Sequence, residues 1–211
     1  MFFIPIGIYL LSQVETMSKA EKTKKYIIEQ TAAIFNKKGY AGTSMNDLTA
    51  ATGLTKGSIY GNFANKDEVA LAAFDYNHQN MVTRIRTAMA KEKSVKAKLM
   101  VYMNMYTDYL QDSKLSGGCP VLNTAVDADD THPALRERAI YAVNSWKKAI
   151  SRLVIEGQEN GELHHTLMPE QVALTIIAII EGAVMIARLT NSKTNWDLIM
   201  TSLKNYIESL S

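Results

Sequence analysis

Residues 52 to 63, T-G-L-T-K-G-S-I-Y-G-N-F, place two hydroxyls (Thr55 and Ser58), one ammonium (Lys56) and one phenol (Tyr60) around Gly57, with Leu54, Ile59 and Phe63 spaced between them. Hydroxyls and an ammonium donate to phosphate oxygens and base edges, and a glycine among them lets a backbone come close to a ligand. The same residues also suit a loop and an ordinary helix start, with Thr55 as a cap and Tyr60 as a half-buried aromatic. Other reactive residues offer less. Cys119 precedes Pro120 at a probable helix start, where the dipole favours thiolate, so a redox switch is an alternative to a small buried hydrophobe. His164 and His165 are adjacent, so their rings point apart, and no third metal ligand lies near them. Glu156, Glu159 and Glu162 belong to a solvated helix end, and no nucleophile and base can be paired. The expectation is a protein that is not an enzyme and needs no metal or cofactor.

The elements that must position these residues read as helices throughout. Ile27, Ile28, Thr31, Ala32 and Phe35 recur at helical spacing over 18 to 38, and Gly39 follows as a stop. Ser44 with Asp47 forms a capping-box pattern for a short helix ending at Ala51 or Thr52. Gly53 breaks it, and Thr55 caps a helix over Lys56 to Phe63. Leu48, Leu54 and Ile59 can then share a small core with Phe35, which makes 44 to 63 a helix-turn-helix with its second helix as the reader. Asn65 caps a helix from Lys66 to about Lys91, and further helices span Val95 to Gln111, Pro133 to about Glu159, Pro169 to Leu189 and 195 to 209. Pro120 opens a further segment after the break S-G-G-C-P, and Asp127 to Pro133 is an acidic loop. No strand alternation or internal repeat competes.

The 211 residues are 47% hydrophobic and 21% charged, which suits a packed domain or a small one joined to a larger. One cysteine rules out an intramolecular disulfide and fits a reducing compartment. Net charge is only +2, yet Met17 to Lys66 carries eight lysines, among them Lys19, Lys22, Lys24 and Lys25, against three acids. A positive N-terminal quarter on a near-neutral body points to a polyanion partner for that quarter, or to a solvated lysine face. Residues 2 to 11, F-F-I-P-I-G-I-Y-L-L, lack a basic flank and a cleavage site and are too short for a membrane span. Residues 1–17 are therefore expected to be an extension, or a short apolar arm.

The run G-Y-A-G-T-S-M-N-D-L-T-A-A-T-G-L-T-K-G-S-I-Y-G-N-F-A-N-K-D-E-V (39 to 69) resembles the DNA-binding domain of the TetR/AcrR family of transcription regulators. The resemblance implies an all-α fold: a three-helix helix-turn-helix DNA-binding domain over 18–66, followed by a larger helical effector-binding and dimerisation domain over 67–211. It also implies that Thr43, Ser44, Thr55, Lys56, Gly57, Ser58 and Tyr60 contact DNA and that Lys66 meets a phosphate. Gly61-Asn62 departs from the family, which often carries histidine or tyrosine before the phenylalanine, so a phosphate contact at that point is in doubt. The segment G-G-C-P-V-L-N-T-A (117 to 125) is similar to one seen in a branch of the family's C-terminal domains.

Residues 172 to 189 are apolar on every side, while Glu181 and the small Ala178, Gly182, Ala183 and Ala187 favour close helix packing over a membrane span. By resemblance this helix and the last, with its stripe Trp196, Ile199, Leu203, Tyr206 and Ile207, make the homodimer. An effector pocket is expected among the middle helices. Tyr102, Met103, Tyr106 and Tyr109 supply an adaptable wall, joined by Leu122, Asn123, Trp146 and Met185, although core packing accounts for each of them equally simply. The resulting expectation is a cytoplasmic, ligand-responsive repressor that binds a palindromic double-stranded DNA operator as a homodimer and is released by a small apolar or aromatic effector. A DNA binder of the same fold without an effector, architectural or protein-interacting, is the alternative, and a small-molecule enzyme on a helical scaffold is a third with little support.

Overall fold

The structure is a computed structural model that describes residues 17–111 and 117–211, with 106–111 described by their backbone alone. Among the described residues there are nine helices and no strand: α1 (Lys19–Lys38), α2 (Met45–Thr52), α3 (Lys56–Tyr60), α4 (Lys66–Met89), α5 (Val95–Gln111), α6 (Pro120–Ala128), α7 (Pro133–Glu159), α8 (Pro169–Thr190) and α9 (Lys193–Glu208). Their ends carry the chemistry that the sequence advertised. Ser18 and Ser44 each complete a capping box, with Glu21 and Asp47 respectively, while Thr55 and Asn65 accept the amides of Ser58 and Glu68. Proline occupies the first turn of α6, α7 and α8, where its missing N–H costs nothing.

Ile27, Thr31, Ala32 and Phe35 of α1 form the buried stripe of a helix that packs along α4 and receives α2, on which α3 rests. Asn77 of α4 donates to the Ala32 carbonyl at 2.9 Å, so α4 is bonded to the small domain well beyond its first turn. The expected boundary at residue 66 therefore coincides with the start of a continuous helix that both halves share. In the larger half, α7 and α8 pack together, α9 lies on α8, and α5 fills the space between α7 and α9.

Three expectations change. Helix α3 stops at Tyr60 instead of Phe63, because Gly61 closes it and the chain turns to send Phe63 into the core. Helix α9 begins at Lys193, two residues early, because Ser192 caps it by accepting the Asn195 amide. The α9 stripe expected in the dimer is covered by its own protomer. Trp196, Leu203 and Ile207 of α9 are buried within the chain. On α8 the large apolar side chains Leu174 (49%), Met185 (54%) and Leu189 (84%) are left exposed, with Ala178 on the same side, and α9 leaves Leu198 exposed. An amphipathic stripe shows that a helix has a buried side, but not whether its own chain or another covers it.

Candidate nucleic-acid interface and effector region

Helix α2 ends because Gly53 adopts the left-handed conformation (φ 65°, ψ 9°), with its N–H donating to the Thr49 carbonyl. Thr52 reinforces the turn: its hydroxyl donates to the Leu48 carbonyl at 2.7 Å and accepts the Leu54 amide at 3.2 Å. Across the turn, Leu48 and Ile59 are fully buried beside Phe63, with Leu54 half-buried at the edge. Ile59 is the single buried side chain of α3, so it anchors the helix and turns the remaining residues outward.

Thr55, Lys56 and Gly57 stand exposed, Ser58 is half-exposed, and Tyr60 is 38% exposed with the Lys56 ammonium 5.7 Å over its ring. A cation held on an aromatic face keeps its charge while its position is restrained. Gly57 has an ordinary helical backbone, and a Cβ built on it would meet only the Thr55 hydroxyl, at 4.0 Å. Folding therefore does not require glycine there; alanine would favour the helix by about 1 kcal/mol. Gly57→Ala should raise the melting temperature yet lower affinity for a cognate duplex by about tenfold or more, the scale of one lost base contact. A variant that is both more stable and equally tight would show that no DNA group approaches Gly57.

Two expected DNA contacts are placed otherwise. Thr43 is only 1% exposed and its hydroxyl donates to the Gly39 carbonyl at 2.6 Å, so it braces the α1–α2 turn from inside. Lys66 donates to the Tyr40 and Thr43 carbonyls at 2.9 and 3.0 Å, with its ammonium 4.0 Å from the centre of the Tyr40 ring. Two of its three donors thus satisfy these carbonyls and tie the turn to α4. Ser44 is exposed, and its hydroxyl also serves the cap, donating to Asp47 Oδ2 at 2.7 Å. At the family departure, Gly61 has no side chain and the Asn62 amide is occupied by the Ser58 carbonyl at 2.9 Å.

Charges around this surface are held in place by hydrogen bonds. Lys38 of α1 donates to Asp47 at 2.6 Å and, together with the Ser44 amide and hydroxyl, holds the Asp47 carboxyl well below the usual carboxylate range. Tyr40 donates its hydroxyl to Asp67; that bond first, and burial second, push its phenol up to about 12. The motif reading did not include Asp67 or Asp127, because their partners are 27 and 87 residues away in sequence.

The six effector candidates whose side chains are described do not form one wall. Tyr102 and Trp146 are buried and stacked, with centroids 6.0 Å apart and planes at 28°, between α5 and α7. Burial raises the Tyr102 phenol above its ordinary value. Met103, one residue and 100° further round α5, borders an open groove toward α9 with Lys96, Met100, Asn104 and Lys204. Leu122, Asn123 and Met185 border a different groove between the end of α1, α6 and α8. Asn123 is engaged structurally, donating to the Asn36 and Gly117 carbonyls at 2.9 and 2.6 Å. The side chains of Tyr106 and Tyr109 lie outside the described residues. Cys119 is fully buried, with its sulfur capping α6 by accepting the Leu122 amide at 3.5 Å, which removes the exposure that a redox switch needs.

Helix α6 is bonded to the small domain at both ends. At its start Asn36 and Asn123 interlock, and Asn36 also donates to the Gly118 carbonyl at 3.1 Å. At its end Asp127 accepts the Tyr40 amide at 2.6 Å. A displacement of α6 would therefore pull on the turn that orients α2 and α3.

Residues 27–73 match the family model described as bacterial regulatory proteins, tetR family, and residues 95–203 match the tetracyclin repressor-like C-terminal domain. A solved TetR-family transcriptional regulator from Cytophaga hutchinsonii is 43% identical, with a TM-score of 0.87 over 92% of this chain and 98% of its own. A TetR transcriptional regulator from Chloroflexus aurantiacus is 40% identical, with a TM-score of 0.85 over 90% and 96%. Among curated proteins, the HTH-type transcriptional repressor DhaR of Mycobacterium sp. (strain GP1) is 24% identical over 180 residues, 84% of this chain and 88% of its own.

Proposed function

Because this chain belongs to the TetR family of bacterial transcription regulators, we propose that it is a ligand-responsive repressor that binds a palindromic operator as a homodimer and is released by a small apolar or aromatic effector. The observation that carries the DNA-binding part is the outer face of α3. Thr55, Lys56, Gly57 and Tyr60 are exposed together on a helix held by a single buried anchor, with Lys56 free of any carboxylate partner among the described residues. A duplex offers such a helix its major groove, with phosphates on either side.

The exposed α8 stripe supplies the two-fold. A dimer places two copies of α3 at one spacing, and only a separation of about 34–36 Å matches successive major grooves. An effector lodged near the Tyr102–Trp146 stack would press on α5 and α7, and α6, packed on α7, would carry the shift to Asn36 and Tyr40. The ligand moves the equilibrium only by its differential affinity for the two spacings. The repressor role has its parallel in DhaR, named a repressor. For the ligand, a Bacillus subtilis regulator of this fold, FadR, is known in complex with stearoyl-CoA.

Selection from a genomic library with the full chain tests the reading. The expected outcome is one enriched inverted repeat, and no enriched duplex would remove it. On that operator, Lys56→Ala should weaken binding and make the dependence of log K on log salt shallower by about two per dimer, one phosphate for each protomer. An unchanged slope would exclude Lys56 as a phosphate contact. A compound that raises the melting temperature and releases the operator supports the effector; a screen in which no apolar or aromatic compound does both favours a binder without one.

A further inference from the structure

We propose that Lys24, on α1, is a phosphate contact of the DNA interface and supplies a cation beside residues 61–65, the stretch after the recognition helix that has none of its own. The inference rests on the DNA-binding reading above and extends it to a helix outside the helix-turn-helix motif.

Cations are unevenly spread along and after α3. The helix carries the exposed Thr55 and one cation, Lys56, whose ammonium reaches over the ring of its last residue, Tyr60. The five residues that follow, 61 to 65, offer the duplex no cation. Gly61 is bare, the Asn62 amide is spent on the Ser58 carbonyl, and the Asn65 oxygen caps α4 by accepting the Glu68 amide at 2.9 Å. Lys66, the next cation in sequence, begins α4 and has two of its three donors on the Tyr40 and Thr43 carbonyls. A helix seated in a groove has phosphates at both flanks, and an unmatched flank leaves its tilt and register less defined.

Lys24 stands beside that stretch. Its ammonium is 4.9 Å from the centre of the Phe63 ring, and Phe63 is the residue that turns inward after α3. The arrangement repeats that within α3, where Lys56 lies over Tyr60. In both cases an aromatic face restrains the ammonium without neutralising it, so a point charge is held ready at the surface. Lys24 is exposed and has no ion-pair partner among the described residues. Its neighbour Lys25 is paired with Glu29 at 3.8 Å. Tyr26 further locks this part of α1 to the motif by donating its hydroxyl to the Thr52 carbonyl at 3.0 Å. The position of Lys24 relative to α3 is thus set by two side-chain contacts, Tyr26 to Thr52 and Lys24 to Phe63.

The test is the salt dependence of duplex affinity for the full-length dimer on its selected operator and on an unrelated duplex. Lys24→Gln should make the slope of log K against log salt shallower by about two per dimer. Both duplexes should weaken by the same factor, since a phosphate contact carries no sequence information. Lys24→Arg should keep the wild-type slope, and Lys25→Gln should leave it unchanged. Lys24→Gln with the wild-type slope would overturn the proposal, as would an equal loss of slope in Lys25→Gln, which would indicate a diffuse field. Absence of duplex binding by the wild-type protein would overturn the DNA-binding reading and this inference together, whereas wild-type binding with an unmoved slope overturns this inference alone. Because Lys24 is exposed, an unchanged melting temperature in each variant keeps folding out of the comparison.

Discussion

Gly182→Arg is expected to leave the protomer folded, turn the dimer into monomers and lower operator affinity by about 10²-fold or more. The stripe Leu174, Ala178, Gly182, Met185 and Leu189 follows one side of α8 at helical spacing, with its large members exposed and its small ones in the middle. A Cβ built on Gly182 meets nothing within 4 Å. The chain itself therefore gives no reason for glycine at that position, and alanine would strengthen the helix by about 1 kcal/mol. Small residues at the centre of an exposed apolar stripe allow another helix to approach closely, which is the basis of the proposed two-fold on α8. An arginine there would meet its symmetry mate across the two-fold, a buried like-charge pair with no compensation. Two recognition helices in one particle raise affinity by about 10²–10⁴ over one, because the second contact becomes intramolecular. Sedimentation velocity and operator titration on the same preparation check both effects. A Gly182→Arg protein that remains dimeric would move the interface away from this face.

Ile59→Ala is expected to abolish operator binding by a different route, by loosening α3 itself. A helix of five residues is far below the length that persists alone in water. What holds it is the Thr55 cap and the burial of Ile59 against Leu48 and Phe63. Removing a buried isoleucine down to alanine costs about 2–5 kcal/mol, a large fraction of what a small three-helix unit can supply. Loss of binding should come with a lowered melting transition and faster amide exchange over residues 54 to 63. Lys56→Ala should lose affinity with neither change. An Ile59→Ala protein with wild-type stability and affinity would mean that α3 is held by contacts other than its buried anchor.

Much of the architecture was legible because it depends on local chemistry. Ser44 three residues before Asp47, Gly53 after a short apolar run, Thr55 and Asn65 ahead of helices, and prolines at 120, 133 and 169 act within one or two turns of themselves. Those helix starts agree with the sequence reading. Misplaced helix ends fell where a tertiary demand intervened, as when Phe63 left α3 to fill the core.

The candidate site divides in the same way. Residue type and spacing suggested a hydroxyl, ammonium, glycine and phenol on the outer face of one short helix, and the family resemblance chose that reading over an ordinary loop and helix start. Only the folded chain decided which donors remain free. Thr43 and Lys66 have the right chemistry for a phosphate, but the closure of the α1–α2 turn leaves the Gly39, Tyr40 and Thr43 carbonyls needing partners, and these two side chains supply them. Lys24 is one lysine among eight in its segment, and it stands out only once α1 is packed against Phe63. Likewise a pattern of apolar residues identifies a covered side on α8 and on α9, but whether the cover is the same chain or a second copy depends on how the helices pack, which periodicity does not encode.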